Sequence, residues 1–94
     1  MPAYLVGQIA VHNEALWQKY VAGVARSLQP FEANIVFRGR KAADLAGNNT
    51  RELVVVIEFK DQTDLNNWFN SNLYQSIIPI RDAAADVVIT TYNS

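Results

Sequence analysis

No cysteine occurs in the 94 residues, which excludes disulfides, thiolate metal sites and cysteine nucleophiles together and accords with a reducing compartment. Histidine occurs once, at His12, so no multi-imidazole centre can be assembled and no metal is expected. Charge is scarce as well. Eight basic and nine acidic residues leave a net charge of −1, and the charged fraction of 18% lies below the roughly 25% of ordinary globular domains. A chain without a basic stripe cannot neutralise a phosphate backbone, so no nucleic-acid partner is expected. No apolar run approaches the roughly 20 residues of a membrane span. The opening Met1-Pro2-Ala3-Tyr4-Leu5-Val6 has no basic n-region, so no signal peptide is expected and the cytoplasm is the default location.

What is plentiful is apolar surface. Half of the residues are hydrophobic, in a chain long enough for one core and too short for two. One domain over residues 1–94 is expected, with any function carried on that core or between copies of it.

From Ala3 to Val11 the chain is β-rich, and Asn13 then offers an N-cap. Leu16, Trp17, Tyr20, Val21, Val24, Ala25 and Leu28 recur at helical spacing, which predicts a helix from about residue 14 to 28. Pro30 ends it. Ile35-Val36-Phe37 opens a second strand that reaches Gly39 and continues, bent, through Ala43 and Leu45, with Gly39 marking a bulge. Gly47-Asn48-Asn49-Thr50 is a turn cluster, and Leu53 to Ile57 has the β-branched density of a buried strand. Asp61-Gln62-Thr63-Asp64 caps a helix bearing Leu65, Trp68 and Phe69. A further helical piece runs from Tyr74 to about Ala84, where Pro79 predicts a kink or a new turn, and Val87 to Tyr92 is the last strand.

Strand-helix-strand-strand-helix-strand is the split βαβ order of the α+β class, the ferredoxin-like fold, with a four-stranded antiparallel sheet and the helices on one face. The other face has no cover of its own. Leu53, Val55, Ile57 and Phe59 point one way, and Val54, Val56 and Glu58 the other, so both faces of the sheet are apolar. An uncovered apolar sheet face usually marks an interface. A homodimer packed sheet against sheet is the expected solution.

Pro2-Ala3-Tyr4, Phe37-Arg38-Gly39, Val56-Ile57-Glu58-Phe59, Trp68 to Tyr74 and Ile80-Arg81-Asp82-Ala83-Ala84 occur in the order and spacing of a known family. Over nearly its whole length the chain resembles the domain-of-unknown-function family 1330. Arg40 follows Gly39 where a second glycine is common, and Asn72 stands where a proline is frequent. The resemblance implies a dimeric α/β barrel, in which two ferredoxin-like sheets meet face to face, and implies no particular reaction or cofactor. Proteins of this architecture include cofactor-independent monooxygenases, small isomerases and haem enzymes, which share a fold rather than a chemistry.

Polar side chains within apolar strands are the candidate site positions, because burying them without partners is costly. Gln8, Arg38 and Glu58 are these residues. In a hairpin centred near Asn48 with no register shift, Arg38 and Glu58 fall opposite each other on one face; a bulge at Gly39 separates them. They are then either a satisfied ion pair at the dimer interface or a polar pocket, with Arg38 holding an anionic ligand oxygen and Glu58 acting as a base. His12, at the end of the first strand, is either a titrating rim residue or an exposed turn residue beside Asn13. Trp17, Tyr20, Trp68, Phe69 and Tyr74 either pack the core or line a pocket for a planar organic molecule. Tyr20, Trp68, Tyr74 and Arg81 are the ligand-binding candidates among these elements. Ser27, Ser71 and Ser76 have no histidine placed by sequence, so no serine nucleophile is expected.

Two functions remain. One is a dimeric small-molecule-binding protein, extending to a cofactor-independent enzyme that performs proton transfer or oxygenation on a small aromatic or carbonyl compound. The other is a non-catalytic structural or regulatory homodimer whose polar strand residues set sheet register.

Overall fold

Three short polar side chains decide where the helices begin. Asn13 accepts from the Leu16 amide at 3.1 Å, Asp61 from the Asp64 amide at 2.8 Å and Ser71 from the Tyr74 amide at 3.2 Å, each satisfying a donor that the first helical turn leaves free. In the computed structural model, which describes all of residues 1–94, the elements are β1 (Ala3–Val11), α1 (Glu14–Leu28), β2 (Ala33–Arg40), β3 (Leu53–Phe59), α2 (Gln62–Phe69), α3 (Asn72–Ala84) and β4 (Ala85–Asn93). No helix is long and apolar enough to cross a membrane.

The four strands form one antiparallel sheet in the order β2-β3-β1-β4. The ferredoxin-like order expected from the sequence is therefore the observed one. Alternation along β1 buries Ala3, Leu5, Gly7 and Ile9 beneath the helices, and Ile57 and Phe59 of β3 join them. Trp17, Tyr20, Leu65, Trp68 and Tyr74 close the core from the helical side. α1 and α3 approach closely at Gly23, where a Cβ atom would come within 2.9 Å of the Ile77 side chain, so glycine permits the approach of the two helices there.

Three local expectations are corrected. The β2 irregularity lies between Ile35 and Phe37, not at Gly39. Gly39 serves another purpose: the Phe37 ring lies across it, 2.6 Å from where a Cβ would stand. β2 also ends at Arg40 instead of running on through Ala43 and Leu45. Residues 41–52 form a connection in which Lys41 Nζ bridges Asp44 at 3.0 Å and the Asn49 carbonyl at 2.6 Å. Finally, α3 is a single helix that starts at Asn72 and runs through Pro79, an exposed residue.

Candidate functional site

On the helical side of the sheet a cleft of about 400 Å3 lies between α1 and the strands, within the roughly 300–1,000 Å3 range of small-molecule sites. Its floor includes Gly7, where an added Cβ would stand 3.1 Å from the Val55 side chain, so a larger residue there would press on Val55 and into the cleft. Trp17, Tyr20 and Val24 of α1 form one wall, Trp68 of α2 lines the interior and Arg38 of β2 stands at the mouth. Of its twenty lining residues sixteen are hydrophobic, so the ligand that fits must be mostly apolar.

The polar groups of the cleft are few. Arg38 is exposed, and the ion pairs Arg40–Glu52, Lys41–Asp44, Arg51–Asp86 and Arg81–Asp82 leave it unpaired. Trp68 Nε1 donates to Ser27 Oγ at 2.9 Å, and that hydroxyl donates onward to the Val24 carbonyl at 2.8 Å. The Tyr20 hydroxyl lies 2.9 Å from that of Tyr74, which accepts from Arg81 Nη1 at 3.0 Å. Burial, with the adjacent Tyr74 hydroxyl, pushes the Tyr20 phenol far above its ordinary range. It therefore stays protonated and serves as a donor, not as a base. Arginine only donates, so Tyr74, polarised by Arg81, is the better donor of the phenol pair, which leaves the Tyr20 proton for the cleft. Burial alone would lower the Arg81 pKa; the hydrogen bond to Tyr74 and the neighbouring Asp82 outweigh it and hold the guanidinium above its ordinary value.

The other candidates lie elsewhere. Arg38 pairs with Val55 and Glu58 with Asn34, so the two stand on opposite faces of the sheet and the cross-strand pairing is corrected. The extra residue at the β2 bulge puts them on opposite faces, and a hairpin centred near residue 46 instead of Asn48 moves them apart along the strands. Glu58 accepts from the Tyr4 hydroxyl at 2.9 Å on the face without helices. That hydrogen bond, ahead of partial burial and the charge of Glu58, raises the Tyr4 pKa. Gln8 shares the open face and accepts from Asn49 Nδ2 at 3.4 Å. His12 is exposed just past β1, its backbone amide bonded to the Ala84 carbonyl at 2.7 Å. No carboxylate and no imidazole lines the α1 cleft, and no three or more acidic or histidine side chains converge on a metal-sized site.

Sequence reasoning missed Ser27 as the partner of Trp68 and Gly7 as part of the cleft floor beneath Val55. Both carried a signal. Ser27 is a polar residue at helical spacing from Tyr20 and Val24, and Gly7 interrupts the inward row Ala3, Leu5 and Ile9.

Among solved structures the chain is similar to the RPA0582 protein of unknown function from Rhodopseudomonas palustris, with a TM-score of 0.86 and 12% identity over 99% of this chain and 82% of that one. It is also similar to SnoaB, a cofactor-independent oxygenase from Streptomyces nogalater, with a TM-score of 0.72 and 11% identity over 99% and 92% of the two chains. A third likeness is to a dimeric ferredoxin-like protein of unknown function from Thermobifida fusca, with a TM-score of 0.68 and 11% identity over 100% and 92%. At these identities the likenesses establish the fold alone. No curated protein matches the sequence. The family model described as a domain of unknown function (DUF1330) matches residues 2–92, and the chain belongs to that family.

Proposed function

We propose that the protein binds a small, mostly apolar organic molecule in the cleft between α1 and the sheet, and that it does so as a homodimer joined through the opposite sheet face. The observation that carries the first part is an apolar cleft of about 400 Å3 holding one buried phenol and one unpaired guanidinium at its mouth. Such a site desolvates a planar aromatic or carbonyl compound and offers hydrogen-bond donors from Tyr20 and Arg38 to its oxygen. Glu58 and His12, the residues expected to handle protons, lie outside it. Binding is therefore better supported than general-base catalysis. A reaction of the cofactor-independent kind named for SnoaB would have to draw on Tyr20, Arg38 and the acidity of the compound itself.

The dimer rests on the face without helices. Val6, Val54, Val56 and Val88 line it, while the Tyr4–Glu58 and Gln8–Asn49 hydrogen bonds satisfy polar groups among them. Similar folds from Thermobifida fusca and Jannaschia are described as dimeric.

Trp17 and Trp68 both line the cleft and are the chain's two tryptophans, so intrinsic fluorescence reads occupancy directly. A panel of small aromatic and carbonyl compounds should include some that change the emission saturably, and Gly7→Val, which fills the floor, should abolish the change while far-ultraviolet circular dichroism stays native. A panel without any saturable response refutes the binding reading. Light scattering that finds a stable monomer at micromolar concentration refutes the dimer.

A further inference from the structure

A second cleft, also of about 400 Å3, opens on the helical side between α2, α3 and β4. It shares Leu5, Val87 and Ile89 with the first cleft and so lies beside it over the same strands. Its polar lining differs. Arg81, Asn66, Asn70 and Thr91 face apolar walls made by Leu65 and Phe69.

Arg81 is the only charged residue of this lining, and its side chain is 18% exposed. Of the five N–H groups of a guanidinium, one binds the Tyr74 hydroxyl and one the Asp82 carboxylate, leaving three uncommitted. Asp82 is 67% exposed and adjacent in sequence, so water screens most of its compensation. Asn66 accepts from Gln62 through Oδ1, which leaves its amide nitrogen as a further donor. The lining thus combines a surplus of donors, a single positive charge and no carboxylate.

We propose that this second cleft binds a small monocarboxylate with a compact apolar body, the aromatic or branched acids being the class that fits. A planar guanidinium held by Tyr74 on one side matches a carboxylate bidentately, and Leu65, Phe69 and the shared strand residues take the hydrocarbon part. A phosphate monoester fits poorly, because its two charges meet one cation and its hydrated oxygens meet apolar walls. The two clefts differ in their charged lining: Arg38 lines only the first and Arg81 only the second.

The test titrates benzoate and its neutral isostere benzamide into the intact protein carrying 15N-labelled arginine. Benzoate is expected to shift the Arg81 Nε–H resonance saturably, whether or not Arg38 also responds, and to bind at Arg81 at least about tenfold more tightly than benzamide. Arg81→Lys, which keeps the charge and loses the fork, is expected to weaken benzoate at this site by about tenfold, and Arg40→Gln, outside both clefts, to leave it unchanged. Since the resonance is read in the native protein, misfolding of an Arg81 variant does not blunt the test. The proposal is overturned by an Arg81 signal that does not move, or by equal affinity for acid and amide. A shift at Arg38 instead of Arg81 also overturns it, while leaving the α1 cleft as a binding site.

Discussion

Replacing Tyr74 with Phe removes a hydroxyl that accepts from Arg81 at 3.0 Å and is bonded to Tyr20 at 2.9 Å; replacing Tyr20 removes only the second of these contacts. The two substitutions delete the same atom type from neighbouring rings, yet the structure makes them unequal. A neutral hydrogen bond contributes about 1 kcal/mol net, and a buried partner left unsatisfied costs about 1–3 kcal/mol. Tyr20→Phe leaves the Tyr74 oxygen bonded to Arg81 but takes the acceptor of its proton, so its expected cost is about 1–2 kcal/mol. Tyr74→Phe strands the Tyr20 hydroxyl on a residue only 7% exposed and also releases Arg81, for an expected cost of about 2–4 kcal/mol. In a domain of this size each kcal/mol moves the thermal midpoint by about 4–8 °C. Urea unfolding followed by circular dichroism, with every variant at one protein concentration, measures both costs. The double variant completes a cycle. Once Tyr74 is gone the Tyr20 hydroxyl is a liability, so removing it should restore stability, and the double variant should be more stable than additivity predicts by about 1–2 kcal/mol. Equal single costs, or a double variant that is additive, would refute the asymmetric chain from Arg81 through Tyr74 to Tyr20.

Because the fold holds the Tyr20 phenol above its ordinary pKa, the protonated form is the one folding favours. Its contribution to stability is fully present below about pH 10, where the unfolded phenol titrates, and declines as the pH rises beyond it. Urea midpoints measured from neutral to alkaline pH should fall less steeply in Tyr20→Phe, and identical slopes would contradict the assignment. Ser27 is 1% exposed and is the acceptor for Trp68 Nε1. Ser27→Ala is expected to cost about 1–3 kcal/mol in the native background and much less in Trp68→Phe, where no indole N–H is left unpaired. The same cost in both backgrounds would place the effect in packing alone.

The strand and helix pattern was legible because its determinants are local. Asn13, Asp61 and Ser71 cap helices through bonds to residues three places on, and the alternation of Leu53 to Phe59 shows two apolar faces without reference to any other strand. Pairing register was not legible. It depends on the connection over residues 41–52, whose Lys41, Asp44 and Asn49 contacts form only when the hairpin has closed, and on a bulge that no glycine or proline marks. Tyr20, Tyr74 and Arg81 stood out because each joins an apolar body to a polar end, and they are bonded to one another. The partner of Trp68 did not stand out, since a serine on an apolar helical stripe announces no particular acceptor role.

The bulge beside Val36 reaches further than the strand that carries it. Alternation in a strand has a period of two, so a β2 that kept the register of Ala33 to Ile35 without the bulge would set Arg38 opposite Val54, toward the face that holds Glu58, and send the Phe37 ring to the mouth of the α1 cleft. The cation and the aromatic ring would trade faces with no substitution at either position. In this protein the character of the cleft mouth depends on strand register as well as on side-chain identity. A change that abolished the bulge would thus alter the cleft mouth more than most point substitutions within the cleft.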